Sequence, residues 1–122
     1  AELPQAEAVM RRYIELAGNE ADPAAYNYLA ILLTLRPPSL GGKPEEARGF
    51  WEQAIELTGG CDLGIKVAMA EGYAKLLYEK ELHDRLVGEV LDASPYCDGK
   101  TLLNVLAQER ALELQAESPD YF

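Results

Sequence analysis

The residues with chemical potential are few. His83 is the only histidine, Cys61 and Cys97 the only cysteines, and Glu71 stands alone among the apolar residues Met69, Ala70, Gly72, Tyr73 and Ala74. Acid-base or metal chemistry at His83 would need a second histidine, a cysteine or a carboxylate pair at ligand spacing, and Leu82-His83-Asp84 supplies none. A helix-surface or hairpin-turn role for His83 is the expectation. Glu71 has two readings. It lines an inner groove, with Tyr26 and Tyr73, where a ligand could be met; or it pairs with Lys75 four residues on, an arrangement that stabilises a solvated helix face by a few tenths of a kcal/mol. The pair is the favoured reading. Tyr26, Tyr28, Tyr73 and Tyr78 likewise either line a concave surface or fill the core, and aromatic residues at helical spacing are more often core.

Asp98-Gly99-Lys100-Thr101 has the letters of a phosphate loop without the upstream glycine or a preceding strand, so it reads as a turn opening a helix, with Asp98 or Gly99 at the cap. No nucleophile elbow, HExxH, paired zinc ligands or Ca²⁺ loop is present. The sequence thus shows no catalytic, cofactor-binding or metal-binding residues, and the expectation is a protein that is not an enzyme.

Composition limits the partners. The 122 residues suit one domain, and a 48% apolar share is enough for a real core. Eleven basic against 21 acidic residues leave a net charge of −10, which repels phosphate backbones and anionic lipid. Nucleic acid is therefore a poor partner. No apolar run is long enough for a membrane span, and a start at Ala1 reads as processed or truncated. Two cysteines fit a reduced cytosolic protein and a single disulfide in an oxidising compartment equally well.

The elements that must position these residues are helices. Ala6, Val9, Met10, Tyr13, Ile14 and Ala17 have the three-and-four spacing of one buried stripe, and Gly18 ends it. Asp22-Pro23 opens a second helix, apolar round most of its circumference and so expected to be central. Pro44 opens a third, with Ala47, Phe50, Trp51, Ala54 and Ile55 on one face until Gly59-Gly60. A fourth runs from about Leu63 to Tyr78. A change of phase near Tyr78-Glu79-Lys80 predicts a tight turn into a fifth, carrying Leu82, Leu86, Val87, Val90 and Leu91 and stopping before Ser94-Pro95. A last helix from about Gly99 to Ala116 carries Leu102, Leu103, Leu106, Ala107 and Leu114, leaving residues 117–122 as a tail.

Six helices on short turns predict an all-α fold of stacked antiparallel αα-hairpins in one domain. Tyr26, Leu29, Ala30 and Leu33 followed by Ala47, Trp51 and Ala54 match the small and large positions of a tetratricopeptide hairpin, if about five extra residues enter its turn. The later helices match poorly, so the repeat is degenerate. In this up-and-down count the turns holding Cys61 and Cys97 fall at the same end of the stack. That makes a disulfide feasible at the roughly 6 Å between α-carbons it needs; two free loop cysteines remain the other reading.

The stretch that supplies the extra residues is Arg36-Pro37-Pro38-Ser39-Leu40-Gly41-Gly42. A proline pair sets an extended polyproline segment and a glycine pair allows positive φ for the return, so the loop has one preferred shape and little entropy to lose on contact. It either spans two distant helix ends, with Arg36 on terminal carbonyls, or is a surface that a partner or another subunit touches.

The run LRPPSLGG, then EEARGFWEQAIELTGG, VAMAEGYAKLLYEKELHDRLVGEVL, TLLNVLAQERALEL and the ending SPDYF resemble the T component of TRAP transporters, the TatT family. The resemblance covers the chain from about Tyr26 onward. It implies a helical, tetratricopeptide-like protein of the bacterial periplasm, usually a lipoprotein, that assists the substrate-binding P component in importing small organic acids or hydrophobic ligands. Some members resemble trimers, which makes a homo-oligomer a further expectation. Members are generally about twice as long, with a lipidated N-terminal cysteine and further helices first. This chain resembles their C-terminal half, with any membrane anchor in a segment absent here. The competing expectation is a general tetratricopeptide-like adaptor of the cell envelope, holding a helix or an extended peptide of an unrelated protein.

Overall fold

The structure, a computed structural model, describes residues 2–122, with side chains from Pro4 onward. It is all-helical and has no strands among the described residues. The six helices are α1 (Glu2–Ala17), α2 (Pro23–Thr34), α3 (Pro44–Thr58), α4 (Leu63–Met69), α5 (Lys80–Asp92) and α6 (Thr101–Tyr121).

Punctuation residues set the boundaries. The Asp22 side chain accepts a hydrogen bond from the Ala24 amide at 3.0 Å and Pro23 takes the first helical position, so α2 starts where its backbone donors are already satisfied. Gly59 and Gly60 both adopt positive φ, and their amides bond back to Glu56 and Ile55, closing the end of α3. Consecutive helices pack on each other, and α2 against α3 is the tightest pair, because Ala30, Ala47 and Ala54 are fully buried and let the backbones approach. Leu29, Trp51, Leu63, Ile65 and Tyr73 fill the space this leaves.

Four expectations are corrected. The fourth helix is not regular to Tyr78: α4 ends at Met69 and a π-helical segment follows over Ala70–Ala74, with the Lys75 amide bonded to the Ala70 carbonyl five residues back. The widened turn coincides with Gly72 pressed against Trp51, and Tyr78 then takes a left-handed φ of 54° before α5 begins.

The last helix begins at Thr101, because Gly99 is left-handed and the residue flanking its start is Lys100 rather than Asp98 or Gly99. It also continues past Ala116 to Tyr121, so residues 117–121 are helical rather than a tail. Contacts hold this last turn despite Pro119 within it: Ser118 donates to Asp84 at 2.7 Å, and the Tyr121 hydroxyl donates to the Lys75 carbonyl at 2.9 Å.

The buried stripe of α6 is Asn104, Ala107, Ala111, Leu114 and Ser118, while Leu102, Leu103 and Leu106 are exposed. Asn104 sets this phase. Fully buried, it accepts from the Leu63 amide at 2.9 Å and donates to the carbonyls of Cys61 and Pro95 at 2.9 and 3.0 Å, needs that no leucine could meet.

As expected of a central helix, α2 packs on α1, α3 and α4. Tyr28 is 52% exposed on the flank that α1 leaves open.

Candidate partner-contact site

The loop after α2 is rigid, though differently from the sequence expectation. Pro37 alone is extended; Pro38–Leu40 form a single 3₁₀ turn, and Gly41 returns the chain at φ 98°. The Pro37 carbonyl accepts from the amides of Leu40 and Gly42 at 2.9 and 3.1 Å, and the Lys43 amide donates to Leu33 at 2.9 Å, which ties the loop back to α2. A Cβ on Gly42 would lie 1.8 Å from the Arg36 carbonyl oxygen, so only glycine fits. Residues 35–41 are nevertheless exposed. The arrangement is a stiff frame with side chains facing solvent.

Beneath the loop is a cleft of about 170 Å³, bordered by Glu7 of α1, Leu32 and Leu33 of α2, and Arg36 and Lys43. Lys43 was not singled out by its sequence context. Its place in the site follows from the loop's closure onto Leu33, a contact that sequence spacing does not reveal.

The other residues of interest lie elsewhere. Tyr26 and Tyr73 are buried in the core rather than set along a groove. Tyr26 packs against Phe50 with ring centroids 6.0 Å apart. The Tyr73 hydroxyl donates to Glu45 at 3.0 Å and accepts from Arg48 at 3.3 Å, and burial pushes its phenol pKa up against the opposing pull of Arg48.

Glu71 does not pair with Lys75. The π-helical turn re-aims both, so Glu71 meets Arg110 at 2.5 Å and Lys75 meets Glu117 at 3.4 Å, two bridges that join this segment to α6. The hydrogen bond from Arg110 to Glu71 outweighs burial and keeps the guanidinium pKa above its ordinary value.

His83, expected on the surface, is fully buried. Its ring packs 5.1 Å from that of Phe122, and its Nδ1 faces an Asp84 oxygen at 3.0 Å, while Nε2 has no hydrogen-bond partner among the described atoms. The extra length of α6 is what covers it. Asp84 is drawn in opposite directions: burial pushes its carboxyl up, but hydrogen bonds from Lys80, His83 and Ser118 prevail and hold its pKa at about 2.

Cys61 and Cys97 form a disulfide, with their α-carbons 6.0 Å apart. It joins the turn after α3 to the turn after α5, beside the Asn104 hydrogen bonds. A second, more apolar cleft of about 480 Å³ lies between α1 and α2, bordered by Met10, Tyr13 and Tyr28. Among the described residues no group of His, Cys, Asp or Glu could hold a metal ion, and no helix is long and apolar enough to cross a membrane.

The described residues form an all-helical stack with a stiff exposed loop and the lone histidine buried inside it. The chain belongs to the TRAP transporter T-component family, whose profile matches residues 1–122, so the match reaches back through α1 as well. That family is an extracytoplasmic component of TRAP transport, and a role in a TRAP transport system follows for this chain. A search of curated proteins finds no match to it.

Proposed function

We propose that this chain is a non-enzymatic accessory protein that works in the bacterial periplasm by docking the substrate-binding P component of a TRAP transporter. The observation that carries docking is the loop Arg36–Gly42, exposed yet held by its own hydrogen bonds and by the glycine fit at residue 42. A loop that is already ordered loses little entropy when it is covered, so its contacts translate efficiently into affinity.

The apolar cleft between α1 and α2 supports a role in handling a small organic or hydrophobic ligand as well, since Met10 and the rings of Tyr13 and Tyr28 offer an apolar wall that carries two phenol groups. The exposed leucines Leu102, Leu103 and Leu106 on α6 support contact with a further copy of the chain.

Titration calorimetry of the chain with the substrate-binding protein of its own transport system tests the proposal. Saturable binding that weakens when Arg36–Gly42 is replaced by a plain turn, with helicity retained, is the expected result. No heat at any concentration, or binding indifferent to the loop, overturns it. In the first case a general envelope adaptor becomes the better account of the fold.

A further inference from the structure

We propose that Arg36 and Lys43 together form an electropositive docking point that takes an acidic segment of the partner protein, with Leu40 and Leu35 as apolar contacts beside it. The inference rests on the reading above that a TRAP substrate-binding protein is the partner, and it specifies the chemistry of the surface that partner must present.

The first observation is the pairing of charges. Among the described side chains, every lysine and arginine except Arg36, Lys43 and Arg85 lies within 4.0 Å of a carboxylate. In a chain with 21 acidic residues such neutralisation is expected, and the exceptions are informative. Two of the three border one cleft at one loop. The carboxylate that borders this cleft, Glu7, is already engaged by Arg11 at 3.5 Å, and Arg11 in turn reaches Glu46. Arg85 differs, because its cleft on α5 is also bordered by Glu79 and Glu81.

The second observation is geometric. Arg36 sits at the base of the loop and Lys43 at its end, and the bonds Lys43 to Leu33 and Gly42 to Pro37 keep the two backbones in fixed relation. The cleft of about 170 Å³ between them suits a carboxylate side chain rather than a whole small ligand. Leu40 on the loop and Leu35 at the end of α2 are 64% and 56% exposed.

The third is the field of the whole molecule. A net charge of −10 repels an acidic partner from most of the surface. Attraction confined to one loop therefore selects one orientation on approach, and charge complementarity of this kind acts mainly on association rate and on specificity.

The test measures association kinetics between the full chain and the substrate-binding protein of its own transport system, at 50 and 300 mM NaCl. The variants are R36E/K43E, the milder R36Q/K43Q, and R85E as a control of equal charge change per site, each checked for native helicity by circular dichroism. We expect the association rate of R36E/K43E to fall by about tenfold or more at low salt, R36Q/K43Q to fall between, and R85E to stay within about twofold of wild type. The difference should shrink at 300 mM NaCl as screening shortens the reach of the charges. Wild-type binding with no loss in either double variant overturns this inference and leaves the transport reading intact. Equal loss in R85E also overturns it, since net charge rather than the loop would then be responsible. No binding by wild type removes both.

Discussion

Gly72 lies against the indole of Trp51, and a Cβ at residue 72 would come within 2.6 Å of Trp51 Cη2 and 3.0 Å of Thr34 Oγ1. Trp51 has no room to retreat: it is fully buried, and its Nε1 donates to Asn27 Oδ1 at 2.8 Å. The contact brings α2, α3 and the π-helical segment to one point. Gly72→Ala should therefore lower stability by about 1–3 kcal/mol, the usual range for overpacking a core. Urea unfolding of the variant and the parent measures this; a change below about 0.5 kcal/mol would show that the segment can shift away from Trp51 at little cost.

Asn104 satisfies three backbone groups from two different turns. Replacing it with alanine strands the Leu63 amide and two carbonyls in a buried place, an effect of about 2–3 kcal/mol. Asn104→Leu should be no better, although leucine favours helices, because it leaves the same groups unpaired. Thermal unfolding of both variants decides whether the hydrogen bonds or the mere shape of residue 104 matters.

The disulfide closes a loop between positions separated by 36 residues. Chain entropy alone gives such a cross-link about 3–4 kcal/mol by restricting the unfolded chain. C61S/C97S should unfold at correspondingly lower denaturant while keeping its helical spectrum. Equal stability of the variant and the oxidised parent would contradict the expectation.

Asp84 predicts an acid-sensitive contribution with a definite sign. Its folded pKa of about 2 lies below the ordinary 3.8, so the stabilisation is complete above pH 4 and is lost as pH falls towards 2. The side chain is 42% exposed, and after allowance for solvent screening the contribution is about 1 kcal/mol. The melting temperature of Asp84→Asn should accordingly lie below that of the parent at pH 5, and the gap should close by about pH 2. A gap that persists unchanged across that interval would assign the effect to shape or hydrogen-bond geometry rather than to charge.

The sequence alone determined the helix count, most helix starts and stops, and the resemblance to the TRAP transporter T component. These are local matters. Asp22-Pro23, Pro44, Gly18 and Gly59-Gly60 act through the backbone sterics of residues adjacent in the chain, and the Ala30, Ala47 and Ala54 pattern states which faces can approach. The unusual character of the Arg36–Gly42 loop was legible for the same reason.

Only the tertiary structure decided which of several compatible partners each side chain takes. Apolar periodicity put Leu102, Leu103 and Leu106 on the buried face of α6 with Ala107 and Leu114, yet only the last two are buried, because the three hydrogen bonds of Asn104 shift the buried stripe. Spacing paired Glu71 with Lys75, but a π-helical turn against Trp51 sent Glu71 to Arg110 and Lys75 to Glu117. His83 has a polar neighbour and a surface-like context, and it became buried because Phe122, 39 positions away, closes over it. Lys43 joined Arg36 through one backbone bond to Leu33. Each outcome depends on packing between segments distant in sequence, where burial and the demand for satisfied polar groups outweigh the small energies of local periodicity.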